Sequence, residues 1–278
     1  MDYIELNAGR FAYVTKGQGT PLLLLHGLGS SLLDWQPQID YLSRFYKVHA
    51  LDLRGHGSSE PARAPLTVAD MAADVAEFIQ ALEVGSCFVI GISMGGMVGF
   101  QLLTSHHELV RGFVAINSAP SFPVDSLRLR VRIMVRKVLV RLFGLRTMGK
   151  VLAHKLFPYE EQAPLRAMFT ERIAHNDRKS YLHAMNAILG WSALPAVTQL
   201  DTPMLIVTGD RDYTPLAYKE AYVGQLRNAR LEVINDSGHA TPLDQPAQLN
   251  RLLKRFVDEL GPLKTAETGP RRQWAFAK

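Results

Sequence analysis

"CFVIGISMGGMVGF", Cys87 to Phe100, begins as an apolar run, breaks at Gly91-Ile92-Ser93-Met94-Gly95-Gly96 and then turns apolar again. A short apolar run that ends in glycine is a strand signal, and the stretch beyond it reads as a helix. The unit is therefore strand, tight turn, helix. A serine set between glycines at such a turn can hold strained backbone angles, because its neighbours lack the Cβ atoms that would clash. Its hydroxyl is then exposed above the sheet. Alone, the pattern is weak, since an ordinary tight turn explains it equally well.

The same grammar extends in both directions from this unit. "PLLLLHG", "KVHALDLRG", "GFVAINS", "PMLIVTG" and "ARLEVIND" are short apolar runs ending in Gly, Asn, Asp or Ser, while "YIELN" and "FAYVTKG" alternate like edge strands. Helical patterns lie between most of them, such as "TVADMAADVAEFIQAL" with Thr67 or Asp70 available as caps. Strands alternating with helices predict an α/β protein with a doubly wound, mostly parallel sheet. The alternation breaks once, where a long helical region from Val124 to about Ala196 intervenes before "PMLIVTG". The expected organisation is a core of residues 1–120 and 197–260, a helical insertion at 121–196, and a disordered tail at 261–278 whose Gly, Pro and Thr punctuation shows no period.

Composition narrows the function. The 278 residues are 47% hydrophobic, enough to bury a full core. The net charge is +5, but Arg128 to Lys155 alone carries nine cations and no acid, so the rest of the chain sums to about −4. Basicity is local, which argues against a general polyanion-binding surface. The single cysteine, Cys87, excludes an intrachain disulfide and suits a reducing compartment. The N-terminus is acidic and polar rather than basic then apolar, and no apolar run approaches the ~20 residues of a spanning helix. A soluble, cytoplasmic protein is expected, with peripheral membrane contact left open.

If Ser93 is a nucleophile, three partners are required. "DSGHATPLDQP" places His239 just after the last strand as a base. "TGDRDYTP" offers Asp212 or Asp210 as the carboxylate that fixes the imidazole tautomer. "HGLGSS", His26 to Ser31, is a Gly-rich turn able to supply backbone donors to an oxyanion. His26 itself reads as a turn and packing residue.

The order Ser, Asp, His, together with "HGLG", "DLRGHGSS", "GISMGG", "GDRDYTP" and "SGHATPLDQP" from about residue 5 to 260, resembles the α/β-hydrolase family, in its serine-nucleophile, esterase- or lipase-like branch with a helical cap. The resemblance implies that Ser93 is the nucleophile, His239 the base and Asp212 the acid, since the family's acid sits three residues after the strand-ending glycine, here Gly209. It implies oxyanion donors at the backbone of Leu28 and Met94, and a cap formed by the insertion. The implied reaction is hydrolysis of a carboxylic ester through an acyl-enzyme, on a medium- or long-chain ester or a lysolipid, with no cofactor and no metal. Alternatives are a thioesterase on acyl-CoA or acyl carrier protein, a carbon–carbon bond hydrolase, and a slow-turnover ligand receptor on the same scaffold. Two departures, Asp244 where the family often has Glu and "TSHHELV" without its usual proline, do not touch the chemistry.

The basic stretch "RLRVRIMVRKVLVRLFGLRTMGK" falls at the start of this cap. At about 100° per residue, Leu127, Val131, Met134, Val135, Val138, Leu142 and Leu145 share one wide face, expected to bury on the core or over an acyl pocket. Leu129, Ile133 and Val140 form a second, narrower stripe among the cations. With one aromatic residue, Phe143, the stretch does not read as a nucleic-acid site. Contact with anionic lipid or an acidic acyl carrier through Arg128, Arg132, Arg136 and Arg141 is one expectation; a structural helix whose cations pair with acids elsewhere is the other. Oligomeric state is not legible in the sequence.

Overall fold

The computed structural model describes residues 1–261; nearly all of the tail 261–278 lies outside the described residues. Eight strands form one sheet: β1 (Asp2–Leu6), β2 (Gly9–Lys16), β3 (Pro21–Leu25), β4 (Lys47–Leu51), β5 (Cys87–Ile92), β6 (Val110–Ile116), β7 (Met204–Gly209) and β8 (Ala229–Ile234). Their spatial order is β1-β2-β4-β3-β5-β6-β7-β8. β1 and β2 pair antiparallel, as does β2 with β4, and all later pairs are parallel. The α/β expectation of a mostly parallel, doubly wound sheet is met. The helices are α1 (Gln36–Leu42), α2 (Val68–Ala81), α3 (Met94–Ser105), α4 (Leu127–Leu156), α5 (Ala163–His175), α6 (Arg178–Ile188), α7 (Leu194–Val197), α8 (Leu216–Val223), α9 (Thr241–Asp244) and α10 (Pro246–Leu260).

The central strands are apolar throughout because both faces of the sheet are covered. Even so, the two-residue period divides them cleanly. Leu23, Leu25, Cys87 and Val89 face the layer of α2 and α3, while Leu22, Leu24, Phe88 and Ile90 face that of α1 and α10. At α2 both predicted caps act together: the Thr67 hydroxyl accepts from Asp70 N at 3.0 Å and the Asp70 carboxylate accepts from Thr67 N at 2.8 Å.

Helices α4 to α6 are inserted between β6 and β7. The second half of α4 buries Leu145, Met148 and Ala153 in a separate cluster with Phe157, Phe169, Ile173 and Tyr181. The first half overturns the expectation for its wide face. Of the seven residues assigned to that face only Leu145 is buried; Leu127, Val131, Met134, Val135, Val138 and Leu142 are exposed. The narrower stripe faces the protein instead, with Val140 buried and Leu129 and Ile133 half-buried. Gly144 explains why Leu145 departs from the other six. Its backbone lies at φ 75°, ψ 177°, a conformation open chiefly to glycine, and it breaks the helix into 127–143 and 145–156. A face drawn at constant rotation through the break joins residues that the kink has put out of phase.

Among the described residues no helix is long and apolar enough to cross a membrane.

Candidate active site

The turn after β5 is tight for a steric reason. A Cβ on Gly91 would come within 2.4 Å of Gly95 O, and one on Gly95 within 2.2 Å of Leu25 O, so α3 reaches the sheet only because both residues are glycine. Ser93 between them has φ 52° and ψ −115°, an unusual conformation for a residue with a side chain. It is held there by a bond from its own N–H to Ile116 O at 2.9 Å and by Ser118 Oγ donating to its carbonyl at 2.7 Å. The backbone strain is retained at a serine whose hydroxyl makes no hydrogen bond among the described residues.

Asp212 and His239 come from the loops after β7 and β8, at the same C-terminal edge of the sheet as Ser93. His239 Nδ1 is 2.7 Å from Asp212 Oδ1. The carboxylate is acceptor-only, so Nδ1 carries the proton and Nε2 keeps its lone pair. Burial by itself would raise the Asp212 pKa. The hydrogen bonds and charges of His239 and Lys219 outweigh it and hold the carboxyl well below the usual range. Asp212 is therefore ionised throughout the neutral range. Asp210 has a different task, accepting from Ser237 N at 3.0 Å.

The Gly-rich turn expected to hold an oxyanion also lies beside the serine. A Cβ built on Gly27 would be 3.5 Å from Ser93 Cβ. Met94 N–H opens α3, where a helix has no internal acceptor to offer, and Leu28 N–H donates to no group among the described residues. His26 holds this turn: Nδ1 donates to Gly27 O at 2.8 Å and Nε2 accepts from Leu53 N at 3.0 Å. Burial lowers its pKa to about 4, so it is a neutral packing residue, as the sequence suggests.

Three residues that the sequence reading did not single out complete the site. Asn117, at the end of β6, accepts from Gly209 N at 3.0 Å and donates to His239 O at 2.9 Å and Thr241 Oγ1 at 2.8 Å, tying β6 to the strand ends that carry Asp212 and His239. Lys219 is buried and places its ammonium on Asp212 Oδ2, Thr208 Oγ1 and Thr214 O. Tyr213 stacks on His239 with ring centroids 4.2 Å apart, and its hydroxyl lies 2.9 Å from His239 Nε2. Only Tyr213 carried a local signal, since it adjoins the candidate acid; the others meet their partners across long stretches of chain.

In this conformation Nε2 is bound by Tyr213 rather than by Ser93. That bond must open before the imidazole can take a proton from serine, and such a bond is worth about 0.5–1.5 kcal/mol net. Tyr213→Phe is therefore expected to raise kcat/KM by roughly two- to tenfold in steady-state assays. A tenfold fall instead would mean that the hydroxyl assists the reaction. A cavity of about 220 Å³ opens beside His239, lined by Lys155, Leu156, Tyr159, Arg211, Tyr213 and Gly238 among others. Lys155 Nζ sits 4.2 Å above the Tyr213 ring; burial, then the nearby charges of Arg132 and Arg136, lowers its pKa.

Residues 20–246 match the family model of the alpha/beta hydrolase fold. The chain belongs to the α/β-hydrolase family. This hydrolase is 27% identical to a Serratia proteamaculans protein named for carbamate hydrolysis, over 92% of its own length and 97% of the relative's. It is 26% identical to 3-oxoadipate enol-lactonase 2 of Acinetobacter baylyi, over 88% and 93%. Among solved structures, the enol-lactonase of Burkholderia xenovorans superposes with a TM-score of 0.85 at 23% identity, covering 92% of this chain and 99% of that one, a likeness of fold.

Proposed function

We propose that this hydrolase cleaves carboxylic esters through an acyl-enzyme on Ser93. The observation that carries the reading is the Asp212–His239 pair, which takes up Nδ1 and leaves Nε2 as the acceptor nitrogen on the edge where a strained turn presents Ser93. Once Tyr213 releases Nε2, His239 takes the Ser93 proton as the hydroxyl oxygen attacks the acyl carbonyl. The amides of Leu28 and Met94 receive the oxyanion. His239 then gives its proton to the leaving oxygen, and a water activated by the same nitrogen releases the acid and restores the serine. No step calls on a metal or an organic cofactor.

For the substrate, the surroundings of Leu28 favour an apolar acyl group. Leu28 packs with half-buried Leu139, Leu156 and Leu243 against the cluster under the insertion, so an acyl chain leaving the oxyanion turn would meet aliphatic side chains. This is the reading in which 121–196 acts as a cap. Lys155 supports a second reading, an ester or lactone that carries a carboxylate, which fits the name of the enol-lactonase relative.

A panel of p-nitrophenyl esters from two to sixteen carbons, run beside lysophospholipid, acyl-CoA and a dicarboxylate half-ester, separates these. The expected result is kcat/KM rising with chain length to six carbons or beyond. A maximum at two carbons with preference for the half-ester selects the second reading, and preference for acyl-CoA selects a thioesterase. Covalent labelling of Ser93 without turnover on any member would leave a receptor.

A further inference from the structure

The first half of α4 turns its apolar side away from the protein. Leu127 is 77% exposed, Leu142 70% and Met134 58%, and Val131, Val135 and Val138 are exposed with them. At about 100° per residue these six fall within an arc of roughly 100°, opposite the stripe of Leu129, Ile133 and Val140 that meets the protein. Arg128 and Arg132 border the arc on one side; Arg130, Lys137 and Arg141 border it on the other. Arg136 alone is turned inward, donating to the Tyr181 hydroxyl.

The cations bordering the arc form no ion pair among the described residues, and the Arg130 guanidinium donates only to the backbone, at Val124 O. Among the described residues no acid lies in salt-bridge range of Arg128, Arg130, Arg132, Lys137 or Arg141, and the helix itself contains none. In the second half, by contrast, Arg146 pairs with Glu171. An aliphatic ridge with unpaired cations along both borders is the arrangement of a helix lying in a lipid interface. There the ridge enters the acyl boundary while arginine and lysine reach sideways to phosphates.

We propose that residues 127–143 of α4 form a docking surface for bilayers rich in anionic phospholipid. A second copy of the chain is a poor occupant, because a two-fold contact would oppose five cations to five cations. An acidic protein would satisfy the borders but not the ridge, which is convex, wholly aliphatic and without a hydrogen-bonding group at its centre. The surface does not depend on which ester Ser93 cleaves. Docking would set the cavity beside His239 in a fixed relation to the membrane, because α4 also supplies Lys155 and Leu156 to that cavity.

The test is co-sedimentation of the full chain, in a Ser93→Ala background so that lipid turnover plays no part, with vesicles of pure phosphatidylcholine or of phosphatidylcholine with 30% phosphatidylglycerol. Two variants are compared with it, Arg128→Gln/Arg132→Gln/Arg141→Gln and Leu127→Ser/Met134→Ser/Leu142→Ser. All six side chains are exposed and thermal melts should match, which confirms folding in each case. The expected results are selective binding to the anionic vesicles, a roughly hundredfold weaker partition for the arginine variant, at least a tenfold loss for the apolar variant, and weaker binding in 0.5 M salt. Equal partition of all three proteins would overturn the proposal. So would absence of binding, loss in the arginine variant alone, or a dimer that the apolar variant dissociates.

Discussion

Ser93→Ala will lower kcat for ester hydrolysis by about 10⁴- to 10⁶-fold while leaving the melting temperature nearly unchanged. The two halves of this expectation rest on different observations. The rate falls because no other hydroxyl occupies the strained turn between Gly91 and Gly95, so alanine leaves the Asp212–His239 pair with no serine to activate. Stability holds because Ser93 is tied down by its backbone, through Ile116 O and Ser118 Oγ, and its hydroxyl bonds to no neighbour. The substitution should stay within about 0.5 kcal/mol. Steady-state kinetics on purified variant and wild type, with a thermal melt of each, measures both. A fluorophosphonate should modify wild type at Ser93 and fail to modify the variant. Substantial activity in Ser93→Ala, or labelling elsewhere, would falsify the nucleophile assignment.

Asp212→Asn will cost about 10⁴ in kcat, and Asp210→Asn will cost less than tenfold. An amide at 212 keeps the shape but can present its NH₂ to Nδ1, which favours the imidazole tautomer with the proton on Nε2, the wrong nitrogen. At 210 the side chain only accepts from Ser237 N, and an amide oxygen can do the same. The 212 substitution has a second consequence. It removes the counter-charge of Lys219, which is buried with no other carboxylate within reach among the described residues, and breaking a buried pair costs about 3–5 kcal/mol. The melt of Asp212→Asn should therefore fall by several degrees. Adding Lys219→Met should recover most of that loss without recovering the rate, which separates the tautomer effect from unfolding. Inactivity confined to Asp210→Asn would show that the wrong carboxylate had been chosen.

Much of this site can be read locally. Strand period, strand-ending glycines and the order Ser93, Asp212, His239 all follow from short-range chemistry, because a turn that needs two glycines or a strand that buries both faces marks the sequence within a few residues. Lys219 illustrates the opposite case. In "PLAYKEAY" it looks like an ordinary surface cation of an amphipathic helix, yet it is almost wholly buried against Asp212. Asn117 is similar: a strand-ending asparagine is commonplace, and its clasp on Gly209, His239 and Thr241 exists only once β6, β7 and β8 lie side by side.

The sequence by itself determined the class of fold and the place of the insertion, and it marked Ser93, Asp212 and His239 as candidates, since each depends on periodicity or on turn chemistry. Tertiary structure alone decided which face of α4 looks outward. Both faces carry enough apolar residues to bury, so amphipathicity could not rank them. In the first half the inward side is the one on which Arg136 bonds Tyr181, and the break at Gly144 lets Leu145 of the second half turn inward at a different phase. Tertiary structure also decided that Tyr213, not Ser93, holds His239 Nε2 in this conformation, because that depends on how two loops meet above the sheet.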